Sequence, residues 1–320
     1  MVHTSRRSTV TWPHSPNRNP ESSCSVTAHH DATDEVLSLA AYIASVNVTG
    51  SELIHNGSHA MYKLPRRIVA RVGRPGTGDV ARREVEVSQW LARSGLPVVE
   101  ALPDVPQPVV VNDRPVTWWR SLSAPRPATP AELGRALRCL HAMPVPEIPR
   151  LPVVDPFAEI DEQISHAENI DVREKEWLLR HVASLRNACR RLSRRTAHRV
   201  IHGDARQCNV VVPRGGVPAL LDLEHVAIGC PDWDLVPLAV GFRDFARIRQ
   251  VDYEAFVHAY GGYDVMDTCH FRVMADIQEL RWACFAIGKG LTSGAARKKA
   301  QNRIACLRGE IRRPWKWTIW

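Results

Sequence analysis

Between Val200 and Asp234 the chain reads VIHGDARQCNVVVPRGGVPALLDLEHVAIGCPDWD, which sets His202, Asp204, Asn209 and Asp222 in an order suited to moving a phosphoryl group. Such a group passes through a loose transition state that needs little covalent help from a protein. It needs an acidic side chain to orient the acceptor hydroxyl, and oxygen ligands to hold magnesium against the phosphates. Asp204 can meet the first need. Asn209, five residues on, and Asp222, after the next apolar run, can meet the second.

The spacing H-G-D-x-x-x-x-N keeps the Asp-to-Asn separation of the kinase catalytic loop, with Gly203 where that pattern has arginine. A loop of this length turns both side chains into one cleft. The β-branched runs Val200-Ile201 and Val210-Val212 flank it, Gly215-Gly216 supplies a turn, and Ala219-Leu221 leads into Asp222. All three polar residues therefore fall at ends or bends of short strands. Any one alone would read as a turn residue; the ordered set does not.

The elements that must position this centre begin with a helix capped at Thr33 or Asp34, with Val36, Leu39, Ala40 and Ile43 at helical spacing. Three short strands follow around Leu53-Ile54, Met61-Tyr62 and Ile68-Val72, an antiparallel meander. Asp79 then caps a helix ending before Gly95, whose apolar stripe of Val80, Val87 and Leu91 also contains Glu84. An inward carboxylate needs a partner, and Arg71 on the third strand is the natural one. A strand cation paired with a helix glutamate is how kinases fix the α- and β-phosphates. Between the first two strands, the amides around Gly57 and the Ser58 hydroxyl can donate to phosphate as a nest does, although G-x-G-x-x-G is missing. A strand-like run from Pro115 to Leu122 carries Trp118-Trp119, and the Ser/Ala/Pro-rich stretch after it marks a lobe boundary. A nucleotide base would lie there, against backbone groups from Trp119 to Leu122.

Beyond the boundary the chain turns helical. Thr129-Pro130-Ala131-Glu132 is a capping box before Leu133, Leu137 and Leu140. Asp155-Pro156 opens a second helix, with Phe157, Ile160 and Ile164 inward, and Asp171 a third, with Leu178, Val182, Leu185, Cys189 and Leu192 as its stripe. Arg190, Arg191, Arg194 and Arg195 lie mostly off that stripe, as a solvated face does. The carboxylates from Asp155 to Glu176 would suit a cationic substrate if they line the cleft; exposed helix faces also explain them. Tyr253–Tyr260 and Phe271–Ile287 are further helices.

With 320 residues, 44% hydrophobic and 24% charged, the chain has the composition of a soluble globular protein with a sizeable core. No apolar run is long enough to span a bilayer. Met1 to Asp31 reads as a poorly ordered tail, and Arg6-Arg7 lacks the apolar segment of an export signal. Eight cysteines without a C-x-x-C pair fit reduced thiols in a cytoplasmic protein. Of the net charge of +8, the segment from Arg297 onward carries +7, eight cations against Glu310. Its tryptophans, Trp315, Trp317 and Trp320, would let it meet an acidic surface or membrane interface, the default being a solvated helix with a frayed end. Nothing in it reads bases, so no specific nucleic-acid partner is expected.

Taken together, the chain resembles the aminoglycoside phosphotransferase and choline kinase-like family, bilobal relatives of the protein kinases. The resemblance runs from about Ser51 to the helices after Asp234. It rests on His202 to Asn209, on Leu221-Asp222-Leu223-Glu224, and on Gly229-Cys230-Pro231-Asp232-Trp233-Asp234-Leu235. It implies an α+β protein kinase-like fold with an antiparallel β N-lobe and a mainly helical C-lobe: tail 1–31, nucleotide-binding lobe 32–122, catalytic and substrate lobe 123–320. It implies that Asp204 is the base, that Asn209 and Asp222 hold magnesium, that His202 and Asp234 give structural support, and that Glu224 touches metal or substrate. Arg71 stands where relatives often have lysine, and Arg206 where many have histidine; a fixed cation at position 206 can neutralise charge on the transferring group. The implied activity is transfer of the γ-phosphate of ATP or GTP to a hydroxyl of a small molecule, an aminoglycoside-like compound, amino alcohol or sugar. The alternative is a nucleotide-binding pseudokinase or scaffold without transfer.

Overall fold

The computed structural model describes residues 23–57, 59–192, 197–288 and 294–317, with side chains from Thr33. Ser58, Arg194, Arg195, Trp320 and residues 1–22 of the expected tail lie outside the described residues.

The first helix, α1 (Ser23–Ala44), starts ten residues before the expected cap. No proline or glycine interrupts the segment from Ser23 to Ala44, so nothing stops the helix at Thr33. Thr33 and Asp34 act instead as side-chain anchors: Arg114 donates to Thr33 Oγ1 at 3.3 Å and Tyr62 to Asp34 Oδ1 at 2.6 Å. Strands β1 (Glu52–Asn56), β2 (Ala60–Leu64) and β3 (Ile68–Val72) form the expected meander. With β4 (Val109–Val111) and β5 (Arg114–Arg120) they make one antiparallel sheet in the order β1-β2-β3-β5-β4. Alternation along β3 divides its side chains. Ala70 and Val72 pack with α1, while Val69 packs with Val85 of α2 (Gly78–Arg93). Arg71 shares the Val69 face, and the α2 stripe of Val87, Leu91 and Glu84 is buried beside it.

The rest of the chain is helical around two small sheets. Strand β6 (Arg126–Pro127) precedes α3 (Pro130–His141), whose capping box is formed by Thr129 and Glu132 as expected. The second helix, α4 (Ile160–Ser165), begins later than Asp155, because Glu159 takes a left-handed conformation (φ 65°) that breaks the first turn. Asp155 instead caps the preceding turn, accepting from Phe157 N at 2.9 Å. Helix α5 (Val172–Leu192) carries a reciprocal Asp171–Glu174 cap. Strands β7 (Arg199–Ile201) and β10 (Ala227–Gly229) pair with each other. Strand β8 (Val210–Val212) lies between β6 and β9 (Ala219–Leu220). Helices α6 (Asp232–Arg243), α7 (Gln250–Tyr260), α8 (Phe271–Gly288) and α9 (Gly294–Leu307) complete the described residues.

Val200, Val210 and Leu220 of the short strands sit in the largest apolar cluster with Leu133, Leu137 and Leu140 of α3. Burial on this scale, at about 1.5–3 kcal/mol per large aliphatic side chain, fixes the loops between the strands. The segment after α2 joins the same unit: Leu220 N donates to Pro97 O at 3.1 Å and Val99 N to Leu220 O at 2.8 Å.

The basic end of the chain departs from the expected frayed helix. Trp315 and Trp317 are 2% and 8% exposed and stack on each other at 5.1 Å against Phe245. Arg313 lies 4.2 Å from the Trp315 ring and Arg303 5.1 Å from the Trp317 ring. These cations are part of the packing, which is why composition alone misread them.

Candidate active site

The loop between β7 and β8 is organised from behind by Asp234, a fully buried carboxylate on α6. It accepts from His202 N at 2.5 Å, Gly203 N at 2.9 Å and His141 Nε2 at 3.0 Å. His141, at the end of α3, is in turn held through Nδ1 by the Tyr260 hydroxyl at 2.8 Å. Asp234 was expected to support the loop, whereas the His141–Tyr260 part of the brace was not read from the sequence; its only signal was a histidine closing the α3 stripe. Gly203 has a φ of +82°, and a Cβ there would stand 2.2 Å from the His225 carbonyl oxygen. The arginine of the kinase pattern therefore cannot occupy this position. His202 is a strut: Nε2 donates to Leu221 O at 2.8 Å and Nδ1 receives the Asp204 amide at 3.4 Å. It thereby ties Asp204 to the strand end that carries Asp222.

Three hydrogen bonds converge on one oxygen of Asp204. Arg206 reaches Oδ2 through Nε at 3.0 Å and Nη2 at 2.7 Å, and Asn209 Nδ2 reaches it at 3.1 Å. Among the described residues Oδ1 receives no hydrogen bond and is left for an incoming donor. Burial alone would raise the pKa of this carboxyl, but the Arg206 charge and hydrogen bond, with His202 and His225 behind them, outweigh it and hold it below the usual range. Asn209 also donates to Asp204 O at 2.9 Å, so its amide oxygen is turned away and meets only the weak Cys208 thiol donor, at 3.6 Å. Desolvation pushes that thiol's pKa up while the Arg206 charge pulls the other way.

Opposite the loop, Arg71 collects carboxylates from two parts of the chain. Its Nη1 contacts Glu84 Oε1 at 2.7 Å and Oε2 at 2.9 Å; its Nη2 contacts Glu224 Oε2 at 2.8 Å; Asp222 Oδ1 lies at 4.0 Å. Burial pushes Glu84 up to about 7, with Glu224 and Asp222 adding repulsion and Arg71 pulling the other way. Asp222 itself is left-handed (φ 55°, ψ 58°), a conformation costing roughly 1–3 kcal/mol and common where function demands it.

His59 is a member of this cluster that sequence reasoning passed over. Its Nε2 lies 2.9 Å from Arg71 Nη2, a group that can only donate, so Nε2 accepts and the ring proton sits on Nδ1. Burial, then Arg71, Arg74 and His55, lower its pKa to about 3, keeping it neutral. Nδ1 is buried with no partner among the described residues, an orphaned donor at the hairpin tip. The signal was strand alternation: Met61 pairs with Arg71, and His59 precedes it by two on the same face.

The remaining expected residues divide. Trp119 is buried, donates through Nε1 to Thr117 Oγ1 at 2.8 Å and packs with Val85 and Ala101, so its indole is core. Ser121 N is bound to Arg67 O at 2.7 Å, whereas the backbone of Leu122 has no partner among the described residues. No cluster of three or more His, Cys, Asp or Glu forms a ready metal cage among the described residues. The donor set still fits magnesium, which takes one or two carboxylates and completes its shell with water and substrate phosphates. Asp222, about a third exposed, the Asn209 oxygen, engaged only by a weak thiol donor, and an excess of carboxylates around Arg71 meet that requirement.

With a catalytic-type loop facing a strand arginine and a helix glutamate, the fold and site define a phosphotransferase architecture, and comparison with known proteins gives the family. The profile of the phosphotransferase enzyme family (APH) matches residues 55–269, and the chain belongs to that family. No curated protein sequence matches. Among solved structures, similar folds include a choline/ethanolamine kinase family protein from Mesorhizobium loti, 20% identical, covering 87% of this chain and 94% of that one with a TM-score of 0.60. An amicoumacin kinase solved with AMP-PNP, Ca2+ and Ami is 12% identical, covering 92% and 98% with a TM-score of 0.69. An aminoglycoside phosphotransferase from Streptomyces rimosus is 17% identical, covering 76% and 97% with a TM-score of 0.58. The protein kinase-like α+β architecture is thus shared across the set. No helix among the described residues is long and apolar enough to cross a membrane.

Proposed function

We propose that this protein is a magnesium-dependent kinase that moves the γ-phosphate of ATP or GTP to a hydroxyl of a small molecule. The observation that carries the reading is the polarised Asp204: Oδ2 is saturated by Arg206 and Asn209, and Oδ1 is left to accept a proton. Held ionised, that oxygen orients the acceptor hydroxyl for attack and takes its proton as the new bond forms. Arg206, half exposed, stays close enough to offset charge on the transferring group. Asn209 and Asp222, with Glu224 beside them, would hold magnesium, which would supply charge neutralisation on the phosphates. Arg71, fixed by Glu84, and the Nδ1–H of His59 would receive phosphate oxygens, with Ser58 at the same hairpin. The open backbone at Leu122, after Trp119, would meet the base, between lobes 32–122 and 123–320. A cytoplasmic setting fits this use of nucleotide. The similarity to a kinase solved with a nucleotide analogue and a divalent ion supports the reading.

The test is nucleotide turnover across a panel of amino alcohols, aminoglycosides, sugars and hydroxy acids. Asp204→Asn should lower turnover about 10²–10⁴-fold while the thermal shift with Mg-nucleotide persists. Nucleotide binding without transfer to any acceptor would favour the pseudokinase reading, and no shift with either Mg-ATP or Mg-GTP would end both.

A further inference from the structure

Resting on that reading, we propose that the acceptor is a small zwitterion, a hydroxylated amino acid, whose carboxylate is bound by Arg281 and whose ammonium faces Asp155 and Glu159. Arg281, on α8, donates through Nη1 to the carbonyl of Pro156 at 3.1 Å, and its guanidinium lies 5.8 Å from the Trp233 ring. That indole donates to the carbonyl of Gly203 at 3.1 Å, one residue before Asp204. The cation is therefore held between the catalytic loop and the turn from Asp155 to Glu159. Burial lowers its pKa while Asp204, Glu159 and Asp155 pull it back up, so it is partly stripped of water yet within the field of three carboxylates.

None of those carboxylates pairs with it among the described residues. Arg71, Arg206, Arg272 and Arg313 each have a carboxylate oxygen at 2.9 Å or closer. A half-desolvated guanidinium whose one hydrogen bond among the described residues goes to Pro156 O is suited to a bidentate anion. An anion alone would be repelled by Asp204, Asp155 and Glu159. A zwitterion is not: its ammonium answers the exposed turn carboxylates, its carboxylate answers Arg281, and its hydroxyl reaches Asp204. This refines the sequence-based expectation of a cationic acceptor, which took account of the acidic residues only.

Matched acceptors test this. Homoserine and 3-aminopropanol share a hydroxyl and an amine and differ by the carboxylate, as serine and ethanolamine do. The native protein should use the carboxylate-bearing partner of each pair with a kcat/KM roughly 10–100-fold higher. Arg281→Gln should collapse that ratio toward one, mainly through KM, and Arg281→Lys should restore part of it. Homoserine alone should raise the melting temperature of the native protein and of Asp204→Asn but not of Arg281→Gln, while all three keep the Mg-nucleotide shift. A merely structural Arg281 would lower both members of each pair equally, which would overturn the proposal. Turnover of the decarboxylated partners in preference would also overturn it and leave the kinase reading standing; no turnover with any acceptor would overturn both.

Discussion

Two arginine–carboxylate clusters share their chemistry and differ in their charge balance. In the cleft, Arg71 faces Glu84, Glu224 and Asp222. In the C-terminal core, Arg272 and Arg313 together face Asp244, Asp276 and Glu279. Burial pushes one glutamate in each, Glu84 and Glu279, up to about 7. The core cluster supplies two guanidinium groups for three carboxylates and is covered by Trp315 stacked on Arg313. The cleft cluster supplies one for three and opens to solvent through Asp222. A bound cation gains most where the deficit of positive charge is largest, and the cleft lacks two charges where the C-terminal cluster, about as open to solvent at Arg272 and Arg313, lacks one. On the proposed reading, the charge balance of the two clusters, rather than their residue types, separates the functional one from the structural one.

The largest effects should break the two apart by readout. On the proposed reading Arg71→Ala removes a phosphate donor and lowers kcat/KM about 10²–10³-fold, the scale of losing one preorganised donor. It should also weaken the Mg-nucleotide thermal shift. Arg313→Ala should leave kcat within about twofold at low temperature. Its cost falls on folding instead: about 2–3 kcal/mol by urea unfolding, less than a fully buried pair would lose because Arg313 is partly exposed and Arg272 remains. If Arg313→Ala slowed turnover as much as Arg71→Ala, the distinction between the clusters would be wrong.

A finer difference lies in pH. Both glutamates have folded pKa values raised from 4.5 to about 7, so the folded state keeps their protons longer than the unfolded chain does. Their stabilising contribution is complete below the ordinary carboxylate range and is lost as pH rises through about 7. Glu84→Gln and Glu279→Gln should each flatten the fall of melting temperature between about pH 5 and pH 8. Only in the cleft should the same titration touch activity. Ionised Glu84 fixes Arg71, so kcat/KM should climb through neutrality in the native protein and stay low and flat in Glu84→Gln, while Glu279→Gln follows the native profile.

The cleft was far more legible in the sequence than the core cluster, for geometric reasons. Asp204, Asn209 and Asp222 sit within one run whose strand–loop–strand pattern is local. Arg71 and Glu84 could be paired because two periodicities, two along β3 and 3.6 along α2, put them on facing surfaces. Glu224 could be named but not joined to Arg71, a contact across 153 residues. The orphaned donor of His59 depends on which ring nitrogen accepts from Arg71, a property of the folded contact. Nothing local marks Arg281; folding brings Pro156 and the Trp233 ring to it, and Trp233 in turn to Gly203. The tail's charge has partners distant in sequence: Phe245, Trp282 and Glu279 come from α8 and from the residues after α6, and only folding brings them to Trp315, Arg303 and Arg313, respectively.

The smallest expected effect separates the two kinds of cation within that tail. Arg303 donates to Trp282 O at 2.7 Å and Arg313 is tied to Glu279, whereas Arg297 and Lys298 lie exposed on α9. Replacing Arg297 and Lys298 together by glutamine should change stability by no more than about 0.5 kcal/mol, the usual range for surface positions. It should also leave acceptor and nucleotide kinetics unchanged. A tail that served nucleic acid would instead show binding that weakens linearly with the logarithm of salt and shrinks in the double variant. Filter binding of single- and double-stranded DNA at two salt concentrations decides this. With Trp315 and Trp317 buried, no aromatic face of the described tail is left to stack on bases, so any binding should be weak and should not favour single-stranded over double-stranded DNA.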